Sequence, residues 1–338
     1  MVSIYPKVSI IIVNYNGAPF LSRLFSSLRV QTFKDFEVIF VDNASIDNSL
    51  EITKSFARKG ELSIKIVKLP INCGFCKGNN VGFKYSKGKY IALLNNDTYV
   101  SQRWLEELVK VMDFYPSIGI CQSKIVDLRN KCVVYGNFLG VYGKKRSSKL
   151  FKIEDDLFEG AFYASGTALI IRREIVQMMG HLFDDKQFTG DMDLSWRVRL
   201  LGFRIVTTLR STCYHHQGHS SRLVLRNDVN VGYIVFKDKL HAFIKNYELR
   251  SLFVRVPILI FIDFLYSVYM SIRTNSLVIY SLPKAVFWNL YNLKNTWKEH
   301  IKMQAKRKVA DGEIENYMLP YPAELYFLKL KLCQRIGC

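Results

Sequence analysis

Acidic side chains are scarce in this chain. Its 29 Asp and Glu stand against 48 Lys and Arg, for a formal charge of +19. That surplus points to an anionic partner: a nucleotide, a nucleic acid or an acidic membrane surface. No helix-turn-helix, RRM or zinc pattern is present, which disfavours nucleic acid as the partner. The seven cysteines follow no even framework of spacings. This excludes a disulfide scaffold and predicts free thiols in a reducing compartment. Cys73-Gly74-Phe75-Cys76 forms a C-x-x-C, but no second pair exists to complete a zinc site, and no Trp or Pro lies inside it as a thioredoxin-like motif would suggest. The apolar run after Lys7 stops at Asn14, too short for the h-region of a signal peptide, so none is expected. There is no internal repeat or low-complexity tract. Lys144-Lys145-Arg146 with Ser147-Ser148-Lys149 is expected to be an exposed basic loop.

What is present is a substantial apolar complement. With 338 residues, 49% hydrophobic and 23% charged, the chain suits one large domain, or one domain plus an extension. Tyr90 to Leu94 reads as a buried strand that ends in Asn95-Asn96-Asp97. The same pattern occurs at Val8 to Val13, broken by Asn14-Tyr15-Asn16-Gly17, and at Phe36 to Val41, broken by Asp42-Asn43-Ala44-Ser45. A weaker fourth run, Ile64 to Leu69, precedes Pro70. Helical spacing fills the gaps, with one apolar face at Phe20, Leu21, Leu24, Phe25 and Leu28 and a less regular one at Leu50, Ile52, Phe56 and Ala57. This alternation predicts an α/β fold with a parallel, doubly wound sheet. Ligands of such sheets bind at the carboxyl ends of the strands. An Asn-Asn-Asp cluster there offers oxygen ligands to a divalent cation, which can in turn hold a phosphate. The plainer alternative is turn chemistry alone.

Further along, Trp104 to Met112 reads as a helix stopped by Pro116, and Ile118 to Cys121 and Lys124 to Val126 as short strands. Residues 130 to 160 read as an irregular, glycine-bearing insert that could hold an acceptor. Ser165-Gly166-Thr167 leads into a strand at Ala168 to Ile171, and Arg172-Arg173-Glu174 opens a helix. Asp191 and Asp193 fall at or near the first turn of a helix running through Leu194 to Leu201, where the helix dipole favours carboxylates. One acid suffices as a cap, leaving the other for chemistry or for pairing with Arg197. After Gly202-Phe203-Arg204-Ile205-Val206 come His215, His216 and His219, half of the six histidines, which suggests a ligand set or a phosphate site.

Taken together these motifs resemble the family 2 glycosyltransferases of the GT-A fold, particularly their rhamnosyltransferase-like branch. The match runs from about Val8 to Ser221. It rests on Val13 to Gly17, Val41 to Ser45, Asn72 to Phe75 with Gly78 to Gly82, Leu94 to Thr98, Ser165-Gly166 and Gly190 to Leu194. The resemblance implies a GT-A, Rossmann-like, mostly parallel sheet with helices on both faces. It also implies transfer of a sugar from a nucleoside-diphosphate donor to an acceptor hydroxyl, with inversion. Asn14 and Tyr15 would flank the nucleoside, and Asp42 would accept from a pyrimidine ring NH, favouring uracil or thymine. Asn79 and Asn80 would face the nucleotide near the diphosphate. Asp97 would bind Mg²⁺ or Mn²⁺, Asn95 and Asn96 would bind the nucleotide sugar, and Asn95 would help orient the ribose or the metal. His215 would complete the metal or phosphate site, with His216 as its substitute. Asp191 would take the proton of the acceptor, and Asp193 and Arg197 would fix its loop.

Such chemistry asks for positive charge where the leaving diphosphate gains negative charge, and for a carboxylate that accepts a proton as the new bond forms. A base without a covalent intermediate gives inversion. The chain departs from the family pattern where Asn95 replaces a first metal acid, where Gly190 replaces the acid before the base, and at Lys77, which adds charge near the diphosphate. A basic nucleic-acid-binding protein, a GT-A-like nucleotidyltransferase and an inactive scaffold are the alternatives. The second would call for a Gly-rich phosphate loop after the first strand. The third is opposed by retention of Asp97 and Asp191.

From about residue 227 the composition changes. Val254 to Leu265 and Leu277 to Leu293 are densely apolar, and Lys and Arg dominate from Lys294 to Lys308. Arg255, Pro257 and Asp263 interrupt the first stretch, which disfavours a transmembrane span. The reading is a catalytic domain over 1–226 and a helical, basic and apolar membrane-associating extension over 227–338. It would lie peripherally on the cytoplasmic face of the cell membrane and serve a glycan or lipid-linked acceptor. An oligomer is compatible with this reading.

Overall fold

The structure is a computed structural model that describes residues 5–60, 62–137, 139, 152–216 and 228–319. The basic run at 144–149, His219 and the tail beyond 319 lie outside the described residues. Four strands, β1 (Val8–Asn14), β2 (Phe36–Asp42), β3 (Ile64–Lys68) and β4 (Tyr90–Leu94), alternate with helices α1 (Ala18–Arg29), α2 (Ser49–Arg58) and α3 (Gly74–Tyr85). They pair in parallel in the order β3-β2-β1-β4. The side chains of β1 divide between two apolar layers, as strand alternation requires. Ile10 and Ile12 pack with Leu21, Leu24, Phe25 and Leu28 of α1, while Ile11 joins the opposite layer.

Beyond β4 the sheet becomes mixed. β5 (Thr98–Val100), α4 (Trp104–Phe114), β6 (Ile118–Asp127) and β7 (Cys132–Val134) follow in the chain, then β8 (Lys152–Glu154), β9 (Leu157–Glu159) and β10 (Ala168–Arg172). α5 (Arg173–Met179), α6 (Asp191–Leu200) and β11 (Arg204–His215) complete this part. The path continues β4-β10-β6-β11-β9-β8, with β5 on β11 and β7 on β6. β10 runs antiparallel to both β4 and β6.

The two short strands expected at 118–121 and 124–126 are one strand of ten residues. Its polar middle is satisfied internally. Gln122 accepts the Ser165 N–H at 2.6 Å, and Ser123 accepts the indole N–H of Trp104 at 2.7 Å. The segment from Arg204 into the histidine cluster is one long strand that reaches His215. Between Thr208 and Thr212 its register against β6 shifts, so Leu209, Arg210 and Ser211 bulge out. Within the expected irregular insert, β7, β8 and β9 are short paired strands.

The C-terminal helices are α7 (Asp228–Asn246), α8 (Leu249–Thr274), α9 (Ser281–Tyr291), α10 (Leu293–Gln304) and the short α11 (Asp311–Ile314). A boundary at 226 does not divide two cores. Leu240, Phe243 and Tyr247 lie in the same apolar layer as Leu194 and Trp196 of α6. The Trp196 ring meets Phe243 and Tyr247 edge-on, at centroid distances of 5.5 and 4.8 Å.

Candidate active site

The ends of β1 and β2 interlock. The buried Asn14 amide donates to Ser45 Oγ at 3.0 Å and accepts from Asn96 at 2.8 Å. The Asn16 N–H donates to the same Ser45 hydroxyl, and Asn16 Oδ1 accepts the Ile46 N–H. Asn16 and Ala44 both have positive φ, 50° and 63°, so each loop turns sharply enough to reach the other. Gly17 is required by crowding, since a Cβ there would come within 2.2 Å of Asn14 Oδ1 and 2.3 Å of Asn96 Nδ2. Tyr15 stands half-buried at this turn.

Asp42 ends β2 almost fully buried, and its Oδ1 has no hydrogen-bond partner among the described residues. A buried, unpartnered acceptor at a strand end is an open recognition position. Asn43 beside it ties the next segment in place. Its amide donates to Asn72 Oδ1 at 2.8 Å and accepts the Cys73 N–H at 2.9 Å.

Asp97 leaves the end of β4, and its Oδ1 lies 3.1 Å from His215 Nε2 at the end of β11. Both groups are largely buried. The His216 N–H donates to the Asp97 carbonyl at 2.9 Å, and its ring packs on Phe20. His216 therefore supports the turn, while His215 presents its ring to the carboxylate.

Asp191 begins α6. Its Oδ2 accepts the Gly166 N–H at 2.9 Å, while Oδ1 is shielded from solvent and unpartnered among the described residues. Burial raises this carboxyl to about 6. Asp191 thus does not act as a helix cap. Gly166 is the price of closeness here: a Cβ would fall 2.6 Å from Asp191 Oδ1 and 2.9 Å from the Phe75 ring. Asp193, by contrast, is locked in ion pairs with Arg197 and Lys245, both at 2.8 Å. Burial alone would raise its carboxyl, but the Lys245 and Arg197 charges hold it well below the usual range. Arg197 also donates to the carbonyls of His181 and Leu182.

The two acid regions meet at one edge of the sheet. Leu94 is paired with Ala168, and the Asn95 N–H donates to the Thr167 carbonyl at 2.9 Å. Asp97 lies two residues beyond Asn95 on one side of this junction. Gly166, which holds Asp191, is the residue before Thr167 on the other.

Three residues expected at the nucleotide are engaged within the protein. The Asn80 amide donates to the Phe183 carbonyl and to Asp185 and accepts the Phe183 N–H. Asn79 is buried and donates to the Phe75 carbonyl one turn back. Asn96 is buried against Asn14. Each is an amide that secures the backbone around the site, a role that residue type alone could not distinguish from ligand binding. Asn95 remains half-buried at the junction, with its amide 3.4 Å from Thr167 Oγ1. Lys77 is exposed. The sequence reading missed Asp184, Lys237, Asp238, His241 and Lys245, which surround the Asp191 loop. For the four on α7 the available signal was their spacing, which matches an ordinary polar helix face; Asp184 lies in a loop and carried none.

The description "Glycosyl transferase family 2" matches residues 9–180. The chain belongs to this family. An uncharacterized glycosyltransferase of Nostoc sp. is 28% identical over 172 residues, which are 51% of this chain and 52% of that protein. The poly(ribitol-phosphate) β-N-acetylglucosaminyltransferase TarS of Staphylococcus aureus is 31% identical over 114 residues, 33% of this chain and 20% of that one. The chain therefore spans about half, or less, of the length of these relatives. Among solved structures, S. aureus TarS 1–349 in complex with UDP-GlcNAc aligns with a TM-score of 0.54 and 20% identity, covering 72% of this chain and 68% of that one. A mannosyltransferase from Pyrobaculum calidifontis in complex with GDP-Man and Mn²⁺ aligns with a TM-score of 0.54 and 16% identity, covering 93% and 88%. These likenesses establish a GT-A-like fold.

Proposed function

We propose that this glycosyltransferase moves a hexosyl group from a uridine- or thymidine-diphosphate sugar to an acceptor hydroxyl by a single inverting displacement. The observation that carries the reading is Asp191: a shielded carboxylate with one oxygen held by Gly166 and the other unpartnered, joined through the β4–β10 junction to the Asp97–His215 pair. The free oxygen would accept the proton of the incoming hydroxyl. No enzyme nucleophile is needed, and inversion follows.

Asp42 Oδ1 would accept the ring N3–H of uracil or thymine, which cytosine lacks. Accordingly, UDP should bind more tightly than CDP, and Asp42→Ala should remove the difference. A lost hydrogen bond to a charged acceptor is worth about 1.5–3 kcal/mol, or roughly tenfold to a hundredfold in Kd. Calorimetric titration with the two nucleotides reads this directly. Equal affinities in the unmodified protein would refute the assignment.

The carboxylate and imidazole at 3.1 Å suit a shared divalent ion, Mn²⁺ or Mg²⁺. Among the described residues no group of three or more His, Cys, Asp and Glu side chains could hold one. Diphosphate oxygens and water would therefore complete the shell. When bound, such an ion would neutralise charge on the departing diphosphate. Asp97 and His215 would hold it. Mn²⁺ in the Pyrobaculum structure and UDP-GlcNAc in that of TarS support the metal and the donor class. A thermal-shift screen of UDP-, dTDP- and GDP-sugars with Mn²⁺, followed by a hydrolysis assay on the best binder, would identify the donor.

The acceptor is proposed to be glycan or lipid-linked, reached from a peripheral position on the inner face of the membrane. α8 supports this by its orientation. Leu259, Asp263 and Ser267 are its buried positions, so Asp263 and Ser267 turn inward while Arg250 and Arg273 near its ends are exposed. Asp263 pairs with Lys239 at 2.6 Å and Arg255 with Glu315 at 2.9 Å. Phe253, Phe261 and Ile272 point outward at 76, 62 and 79% exposure, and Phe287 of α9 at 71%. An apolar face this large calls for a nonpolar partner. The 26-residue helix is long and apolar enough to cross a membrane by length and composition. Its inward face is nevertheless fixed to the catalytic body, which favours lying in the interface. Lys294, Lys298 and Lys302 are exposed on the adjoining α10 and would meet anionic headgroups. Combined Phe253→Glu, Phe261→Glu and Phe287→Glu substitutions should abolish sedimentation with phosphatidylglycerol vesicles while leaving nucleotide affinity intact. Unchanged vesicle binding would place the anchor elsewhere.

A further inference from the structure

Four side chains spaced i, i+1, i+4 and i+8 on α7 grip one stretch of chain, two through its backbone and two through its carboxylates. Asp238 Oδ2 accepts the N–H groups of Phe188 and Thr189 at 2.8 and 2.9 Å and the Thr189 hydroxyl at 3.3 Å. Lys237, 2.7 Å from Asp238 Oδ1, donates to the Lys186 carbonyl at 2.6 Å. His241 Nε2 lies 2.8 Å from Asp184 Oδ2, and its other ring nitrogen lies 3.2 Å from Thr296 Oγ1 on α10. Lys245 spans the gap between Asp184 at 3.1 Å and Asp193 at 2.8 Å. All four are buried. Their anchor points, at residues 184, 186, 188, 189 and 193, bracket Asp191 on both sides.

We propose that α7 is a clamp that positions Asp191, with Asp238 as its principal positioning residue. The proposal rests on the reading of Asp191 as the proton acceptor. The charges support it. Asp184, Asp193 and Asp238 offset Lys237, Lys245 and Arg197, so these cations are engaged by neighbouring acids. Among the described residues Asp191 has no cation in ion-pair contact, which leaves its free oxygen available to the hydroxyl. Asp238 reaches the loop through backbone N–H groups one and two residues before Gly190. Loss of that grip would leave Gly190 and Asp191 free to drift, while the Asp42 and Asp97 regions stay as they are. Misplacement of a reacting group by about 1 Å costs on the order of 10²-fold in rate.

The test compares Asp238→Ala, Asp238→Asn and Thr189→Val with the unmodified protein. It measures kcat and KM for release of nucleoside diphosphate from the donor selected above, together with nucleotide Kd. Asp238→Ala should lower kcat by on the order of 10²-fold, with donor KM and nucleotide Kd within about twofold. Asp238→Asn keeps an oxygen for the two N–H groups but turns its amide NH₂ toward Lys237, and should recover a measurable part of the rate. Thr189→Val removes only the weakest bond, keeps the fold if Asp238→Ala does not, and should cost severalfold in kcat alone. Wild-type kcat in a folded Asp238→Ala, parallel losses in kcat and nucleotide affinity, or no rescue by Asn would overturn the clamp. If Asp238→Ala does not fold, absence of any kcat loss in Thr189→Val overturns it instead. Asp191→Asn, assayed alongside, separates the two claims. An active Asp191→Asn removes the proton-acceptor reading, whereas an inactive one beside a fully active Asp238→Ala removes only the clamp.

Discussion

Asp191→Asn is expected to lower sugar transfer by on the order of 10³-fold or more while leaving UDP affinity within about twofold. The amide is nearly isosteric and can still accept the Gly166 N–H, so loop geometry should survive. What it loses is basicity. The same substitution should not lower the melting temperature at pH 7.5 and is expected to raise it. Burial places the folded pKa of Asp191 at about 6, above its unfolded value. Its contribution to stability is therefore complete below the unfolded pKa and is lost as pH rises through about 6, where a charge appears in a shielded position. Removing that charge relieves the folded state. The pH profile of kcat/KM should show an acid limb near pH 6, since Asp191 must be ionised to accept a proton. Equal loss of transfer and nucleotide binding would remove the assignment, as would a profile with no acid limb in that region.

Chelation is expected to have the second largest effect. Treatment with EDTA should stop turnover, and Mn²⁺ should restore it. Asp97→Ala should reproduce the loss at saturating Mn²⁺, by on the order of 10²–10³-fold in kcat, the scale seen when charge stabilisation of a transition state is withdrawn. His215→Ala should raise the Mn²⁺ concentration needed for half-maximal rate, because it removes one ligand and leaves the carboxylate. Full activity in chelator would exclude this role for both residues. Loss of activity in Asp97→Ala accompanied by loss of folded protein would leave the titration of His215→Ala with Mn²⁺ to decide.

The site was legible where the chain changes abruptly from apolar to polar. Asn14, Asp42 and Asp97 each follow a run of buried strand residues, and the sheet places all three on the edge where its strands end. Asp191 was legible as one of two acids on a first turn, but its separation from Asp193 was not. That separation depends on Lys245, some fifty residues away in sequence. Asn79, Asn80 and Asn96 illustrate a related limit. A buried amide that binds a ligand and one that secures a loop have the same composition, and only the direction of the side chain distinguishes them. The charges of α8 were visible in the sequence, but the side they face was not. Arg255 and Asp263 interrupt an apolar sequence, yet both are paired on the protein side of the helix. The polar stripe of α7 carried no reading of its own, because helical spacing records which residues share a face and not what that face meets.

The bulge in β11 has a consequence for how this scaffold tolerates change. Four residues after it, the strand delivers His215 opposite Asp97. Successive residues of a strand point to opposite faces, so the parity of the bulge decides which way His215 is aimed. Losing or gaining a single codon among positions 209–211 would exchange inward for outward along the whole terminal segment and turn the imidazole away from its carboxylate. Substitutions there should be mild, whereas one-residue length changes should inactivate a protein that still folds.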